Sequence, residues 1–364
     1  MAIALLSRRR PAKDPAEIAR LHFVLRFSLG TTGAYTICEA MGWQPSALAA
    51  VLAGILLANM PSMPSFKLGF GLAFIMAVWA FLAYALTVLL HGTPDILFGV
   101  IGLILFLAFA GLANAKAQLP LTLLLICMAV IPVVTLTHPE QANMVRVVFT
   151  RGMAAAVIFT WLAFAVWPRP LTKEMPPPQG PVEFPVRSAL IGTFIVLPVM
   201  LIYWLFGLTD AIPVLLQTVL LVSKIEEERG AVTGGTKLIV NFLGGFIAFA
   251  AYALLHIAPN LVTFALIVFI MSFVFALEIA KGGAWGANAL LAFNAAAVIF
   301  GLLILKGPAN AGTWSARLVQ FAIACIFAIG MMWLLMPLAR RDSRARPTTL
   351  KPDDQRARAN PELS

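Results

Sequence analysis

Charge is scarce in this chain: 12% of its 364 residues are Asp, Glu, Lys or Arg, about half of the roughly 25% found in soluble domains. That scarcity excludes a soluble globule, because 61% of the residues belong to the apolar set and a single soluble core could not hide so much apolar surface. Histidine occurs four times, with His22, His91, His138 and His256 each standing alone near the end of an apolar run, so no metal-binding His pair can be drawn. The three cysteines, Cys38, Cys127 and Cys325, are odd in number, far apart and set in apolar segments, which argues for small core residues rather than a disulfide or metal framework. No nucleophile elbow, phosphate loop or dinucleotide fingerprint is present, so enzyme chemistry is disfavoured and neither cofactor nor metal is expected. Behind Arg8, Arg9, Arg10 and Lys13 there is no apolar stretch with a small-residue cleavage site, and no removable signal peptide is expected.

What the sequence has in abundance is long apolar runs. Leu68 to Leu90 exceeds the roughly 20 residues that cross about 30 Å of hydrocarbon, with none of the ten-residue alternation of a barrel strand. The expected fold is therefore all-α, a polytopic helical membrane protein. Hydropathy and breakers place twelve candidate spans, ten at the least, at about 22–41, 44–60, 68–90, 95–115, 119–137, 147–167, 186–207, 211–223, 237–257, 260–280, 284–305 and 315–337. The eighth is too short to cross alone and must tilt, break or re-enter. Pro168 to Pro185 holds seven prolines, which forbids helix and marks a boundary. The expected organisation is a basic N-terminus (1–19), a six-helix repeat (20–168), a proline-rich linker (169–185), a second six-helix repeat (186–338) and a basic disordered tail (339–364).

The two halves read as copies, because matching features recur at an offset of about 165 to 170 residues. Arg20 pairs with Arg187, Tyr35 with Tyr203, Pro45 with Pro213, Lys67 with Lys237, Lys116 with Lys281, and Arg151 with Arg317. The run from Leu90 and His91 to Pro94 likewise matches Leu255 and His256 to Pro259. An even number of spans per half implies copies of the same orientation, related by an axis along the membrane normal. The net charge of +10 falls in short clusters at the ends of apolar runs, which is topology and not nucleic-acid binding. With a cytoplasmic N-terminus, 21 of the 26 Lys and Arg residues lie on the inner side, so both termini are expected in the cytoplasm.

Ionisable groups inside the bilayer cost at least ~2.5 to 3.5 kcal/mol each on insertion scales, so the few that occur are candidates for function. Arg26 and Glu39 lie at opposite ends of the first span, a cation at one end and a proton acceptor at the other. The bland account is headgroup snorkelling at one end and contact with water at the other. Arg151 and Arg317 hold equivalent places in the last span of each half and suit a shared carboxylate, or else anchor to headgroups. Glu278 is a proton site or one half of an ion pair with Lys281. Asn241, Asn294 and Gln217 must find partners inside the bundle, where they line a path or join helices. Tyr35, Tyr203, Trp43 and Trp204 form an interfacial belt or contribute to a substrate cage. The run Lys224, Glu226, Glu227, Glu228 and Arg229 is a solvated loop, or a gate or partner contact.

The chain resembles the fusaric acid resistance and aromatic acid exporter family. The likeness rests on the first span opening with Arg20, Leu25 and Arg26, matched by Arg187 and Leu190, and on the proline-led second spans at Pro45 and Pro213. It also rests on third spans entered at Lys67 and Lys237 and followed by Gly69 and Gly71 or Gly244 and Gly245. The resemblance implies export of aromatic or related organic carboxylates across a bacterial inner membrane, driven by protons and often joined to a periplasmic membrane fusion protein. The chain differs from longer members in lacking a large soluble domain among these segments. Arg26, Arg151, Arg317, Tyr35, Tyr203, Asn241 and Asn294 are then the candidate substrate contacts, with Glu39 and Glu278 as proton carriers. A passive anion channel and a non-transporting scaffold subunit are the alternatives, and the bundle's edges allow monomer or homodimer alike.

Overall fold

The computed structural model describes residues 15–113, 118–171, 185–207, 212–223 and 232–306. Among them lie eleven α-helices, α1 Pro15–Ala40, α2 Ala47–Asn59, α3 Phe66–Leu89, α4 Pro94–Ala113, α5 Gln118–Thr137, α6 Ala142–Val166, α7 Pro185–Leu205, α8 Ile212–Ser223, α9 Val232–Ile257, α10 Leu261–Ile279 and α11 Gly283–Lys306, with a short 3-10 turn at Pro139–Gln141. No strand occurs among the described residues. Seven of the helices are long and apolar enough to cross a membrane, and the protein is a multi-pass helical membrane protein. The expected span at 315–337 and the tail lie outside the described residues.

Helix boundaries follow from local chemistry. Ser65 starts α3 by accepting the Leu68 amide at 3.2 Å, and Asn260 starts α10 by accepting the Thr263 amide at 2.9 Å, which satisfies donors that a helix end otherwise leaves open. Inside the helices, hydroxyls turn back on the preceding turn: Ser28 donates to the Val24 carbonyl at 2.7 Å, Thr87 to Ala83 at 2.7 Å and Thr160 to Ala156 at 2.7 Å. In hydrocarbon this is the nearest available acceptor. Three helices begin earlier than hydropathy suggests, α1 at Pro15, α6 at Ala142 and α9 at Val232. Their first turns are too polar to register as membrane-like, yet they continue the same backbone hydrogen-bond ladder.

α2 is half-length. Its 13 residues reach only about 20 Å at 1.5 Å per residue, against roughly 30 Å of hydrocarbon. The sequence marks only the eighth span as short; α2 is short because the Gly42–Ser46 turn and the extended stretch after Asn59 flank it, whereas the described part of α8 is bounded on both sides by residues outside the described ones. α2 is buried on all sides from Ala47 to Leu57, so its first turn and its body meet protein, while Asn59 at its end is exposed. The side chain of Trp161 on α6 donates to the Pro64 carbonyl at 3.0 Å and so holds the extended α2–α3 connection.

The bundle has a centre and a rim. In α5 and α11, 72% of the apolar window is buried, against 28% in α3 and α4, so the first pair forms the interior and the second faces lipid. Accordingly Phe66, Phe70, Phe74 and Phe81 of α3 and Phe242 and Phe246 of α9 are exposed. α1 packs on α2, α6 and α10, α3 on α5 and α6, α4 on α5 and α7, α9 on α11, α11 on α2 and α8, and α5 on α8. The α9–α11 contact is close because Gly244 lies against the Ala292 carbonyl, where any Cβ would collide. α2 and α11 run antiparallel, with Gly54 against Phe293 and Ala47 against Gly301.

Candidate functional site

α1 ends in a tight turn that carries a cluster of polar side chains. Gly42 takes the left-handed conformation (φ 66°), its amide donating to the Glu39 carbonyl at 3.0 Å and the Trp43 amide to Cys38 at 2.8 Å; glycine meets this backbone demand without strain. The chain thereby folds back so that Gln44 and Ser46 face Glu39. One carboxylate oxygen of Glu39 accepts from the Ser46 hydroxyl and from the Gln44 amide nitrogen at 3.1 Å. The Ser46 backbone amide in turn donates to the Gln44 side-chain oxygen at 3.2 Å. Ser46 immediately precedes α2 and is 1% exposed, so Glu39 is held against the start of that helix.

Beside this cluster a narrow half-open cleft, about 400 Å³ including its mouth, runs between α2, α6, α8 and α11. Gln44 and Ser46 form its polar lip, while Leu48, Phe149, Leu216 and Val298 form its apolar walls. On α11 the wall residues are Val298, Gly301, Leu302 and Leu305, an i, i+3, i+4, i+7 stripe. One turn deeper on that stripe is Asn294. It is fully buried (0% exposed), and neither its amide nitrogen nor its amide oxygen has a hydrogen-bond partner among the described residues. Asn294 sits seven residues from Gly301, about 10 Å further in.

Tyr35, one turn before Glu39, is buried and donates to the Ala297 carbonyl of α11 at 2.9 Å, edge-on to Phe264 with ring centres 5.0 Å apart. Gly301 permits this, since a Cβ there would lie 2.6 Å from the Tyr35 oxygen. Tyr203 is buried as well, so these two tyrosines are helix-packing groups rather than members of a surface belt. Arg151 is exposed and holds its guanidinium 5.2 Å from the ring centre of Trp43, at the same end as Glu39. Asn241 is buried on α9, one turn before the glycine contact with α11.

Arg26 lies near the middle of α1, about 20 Å from Glu39 along the helix axis. It is 1% exposed, donates to the carbonyls of Trp167 at 3.2 Å and Arg169 at 3.3 Å, and lies 3.9 Å over the Phe164 ring. Arg26 therefore closes the end of α6, where free carbonyls and the helix dipole attract a cation; it does not share a site with Glu39. Glu278 pairs with Lys281 at 2.6 Å in an exposed i, i+3 contact. Arg317, Lys224, Glu226, Glu227, Glu228 and Arg229 lie outside the described residues, as does the side chain of Gln217. No group of three metal-capable side chains occurs among the described residues.

Gln44 and Ser46 were not legible as site residues. The available signal was two polar side chains flanking Pro45 directly after Gly42, in a turn between two apolar runs. A model of a family described as a protein of unknown function, DUF2955, matches residues 24–163, less than half of the chain and within α1 to α6. No curated protein and no solved structure matches the chain.

Proposed function

We propose that the protein is a secondary transporter that exports small organic acids, aromatic carboxylates first among them, across a bacterial inner membrane in exchange for protons. The observation that carries this reading is the cleft at the N-terminus of the half-length helix α2, buried from Ala47 to Leu57, where Glu39 is held by Ser46 and Gln44. A helix that stops at membrane depth is tolerated where it is buried in protein or lines a cavity, and broken helices of this kind build the binding sites of many carriers. Glu39 is the proton carrier: a carboxylate beside the cleft's polar lip, bonded to two neutral donors and to no cation among the described residues, can gain and lose a proton without rearranging a salt bridge. Each charge that crosses 100 mV is worth about 2.3 kcal/mol, so one or two protons sustain a roughly fifty- to few-thousand-fold gradient.

Several observations support a duplicated unit behind this reading. The packing partners recur when each helix number is shifted by six, up or down: α1 with α2 and α7 with α8, α3 with α5 and α9 with α11, α4 with α5 and α10 with α11, α1 with α10 and α7 with α4, α2 with α11 and α8 with α5. An offset of 168 residues relates Leu48 to Leu216, both of which line the cleft, as it relates Tyr35 to Tyr203 and Pro45 to Pro213. On this reading the cleft lies at the seam between the halves, the termini are cytoplasmic, and the end bearing Glu39 faces outward. The resemblance to aromatic acid exporters supplies the substrate class.

Inverted membrane vesicles test the proposal. Under an imposed pH gradient, uptake of a panel of aromatic and aliphatic carboxylates is expected above that of empty vesicles. Glu39→Gln keeps an acceptor for Ser46 and is expected to abolish the gradient-dependent part. Uptake of none of the acids, or uptake indifferent to the gradient, rejects proton-coupled export.

A further inference from the structure

A second cleft lies on the side of the bundle away from Glu39. It is half-open and narrow, about 290 Å³ including its mouth, and runs between α2, α3, α5 and α6. Leu72 and Leu119 on its walls belong to the first two turns of α3 and α5. Both helices begin at the far end: α3 follows Pro64, which Trp161 holds near the close of α6, and α5 finishes at the turn where α6 starts. Thr122 alone among the lining side chains is polar, and its hydroxyl is committed to the Gln118 carbonyl at 2.8 Å. No charged side chain lines the cleft among the described residues, so it suits an apolar group.

The two clefts share two walls. Leu48 of α2 and Phe149 of α6 line the first, and Leu52 and Met153, each four residues further on, line the second. α2 and α6 run in the same direction, since Arg151 early in α6 lies against Trp43 just before α2, and a Cβ on Gly152 would meet Leu48 at 3.6 Å. Four residues along both helices therefore advance about 6 Å down one face, from one cleft into the other. Leu48, Leu52, Phe149 and Met153 are each 1 to 2% exposed, a closed layer one turn thick. Opening it breaks no side-chain hydrogen bond, because all four are apolar, and a methionine adapts its shape readily. The opposite wall can move as well. Beyond the α5 lining residues comes Pro132, which lacks the N–H for the Met128 carbonyl and lets the helix bend there.

We infer that the second cleft is the site where the apolar body of the transported acid is loaded from the cytoplasm, and that the layer of Leu48, Leu52, Phe149 and Met153 is the barrier it crosses to the first cleft. The inference rests on the transport reading and deepens it by giving the substrate a second site and a route. With no charge on its walls, the cleft takes the ring or short chain of the acid and leaves the carboxylate at the mouth. A lipid tail is the other apolar molecule able to enter. The shared walls favour the substrate, because a lipid pocket has no need of continuity with a cleft at the opposite end of the bundle.

The test is photolabelling of the full-length protein in lipid nanodiscs with a benzoic acid that carries a diazirine opposite its carboxyl group, the labelled peptides being mapped by mass spectrometry. Label is expected in 52–56, in 119–126 and at Met153, reduced tenfold or more by excess benzoate. Ile55→Trp, which fills the cleft, is expected to cut that labelling and the gradient-driven uptake of inverted vesicles by tenfold or more. Thr122→Phe, at the partly exposed mouth, serves if the tryptophan variant fails to fold. Met153→Ala thins the barrier and is expected to raise downhill flux of the acid severalfold in the absence of a pH gradient. The inference is overturned by absence of label from these segments, by label that responds to the lipid chains but not to benzoate, or by unchanged downhill flux in Met153→Ala. Parent uptake that persists in both filled variants rejects this inference alone. Label that benzoate displaces and Ile55→Trp removes, in a protein whose vesicles take up no acid, keeps the binding site and rejects the transport reading.

Discussion

The phenol of Tyr35 is spent on one backbone oxygen. Its partner, the Ala297 carbonyl, lies on a helix more than 250 residues away, and the ring is enclosed by Phe264 and Phe300. Tyr35→Phe retains the aromatic packing and deletes the hydrogen bond. Because Ala297 keeps its helical partner, the expected loss is about 1 kcal/mol, read as a modest fall in melting temperature with transport intact; abolished transport at unchanged stability would show that the hydroxyl serves the substrate. Glu39 differs from Tyr35 in that both its partners, Ser46 and Gln44, are neutral side chains within seven residues. Its removal is therefore expected to change function more than fold. The same reasoning separates Arg26, whose bonds to Trp167 and Arg169 close α6, from a substrate-binding arginine.

At the scale of elements, close helix contacts depend on glycine where backbones meet. Gly244 faces the Ala292 carbonyl with no room for a Cβ, and a main-chain atom in the middle of a helix cannot step aside as a flexible side chain can. Gly244→Val is expected to force α9 from α11 at a cost of about 1 to 3 kcal/mol, seen as reduced thermal stability and yield in detergent. Gly71, by contrast, has open space around it, and Gly71→Ala is expected to leave the melting temperature unchanged. If both variants behave alike, the α9–α11 contact is looser than described. α2 illustrates another element-level property: its apolar residues show no polar face because every side of it is buried, so periodicity could not tell it from a lipid-facing span.

For the molecule as a whole, the arrangement of the termini and loops makes a prediction about sidedness. In a background without native cysteines, a single cysteine at His91 or at Asn260 is expected to react with a membrane-impermeant maleimide from outside intact cells, since both follow helices that end at the Glu39 side. A cysteine at Lys281 is expected to react only after permeabilisation. Labelling of His91 and Lys281 from the same side would overturn the proposed topology. The recurrence of packing partners at an interval of six helices gives this whole-molecule reading its coherence, because it places α2, α5, α8 and α11 together at the centre and leaves α3, α4 and much of α9 to lipid.

The sequence by itself determined that this is a helical membrane protein and where most of its described helices end, though not the polar first turns of α1, α6 and α9. Those properties are local: about twenty apolar residues in a row, a proline or glycine at a turn, a Ser or Asn at a helix start carry their meaning without reference to the rest of the chain. Tertiary structure decided the partners. That Arg26 closes α6, that Tyr35 bonds α11, that Gln44 and Ser46 turn onto Glu39, and that the buried Asn294 amide has no partner among the described residues all depend on which helices meet and at what height. The physical reason is that hydrocarbon drives every span into the membrane alike but does not choose among neighbours. That choice is made by close packing at small residues and by the requirement that each buried polar group find an acceptor or donor, which only the assembled bundle supplies.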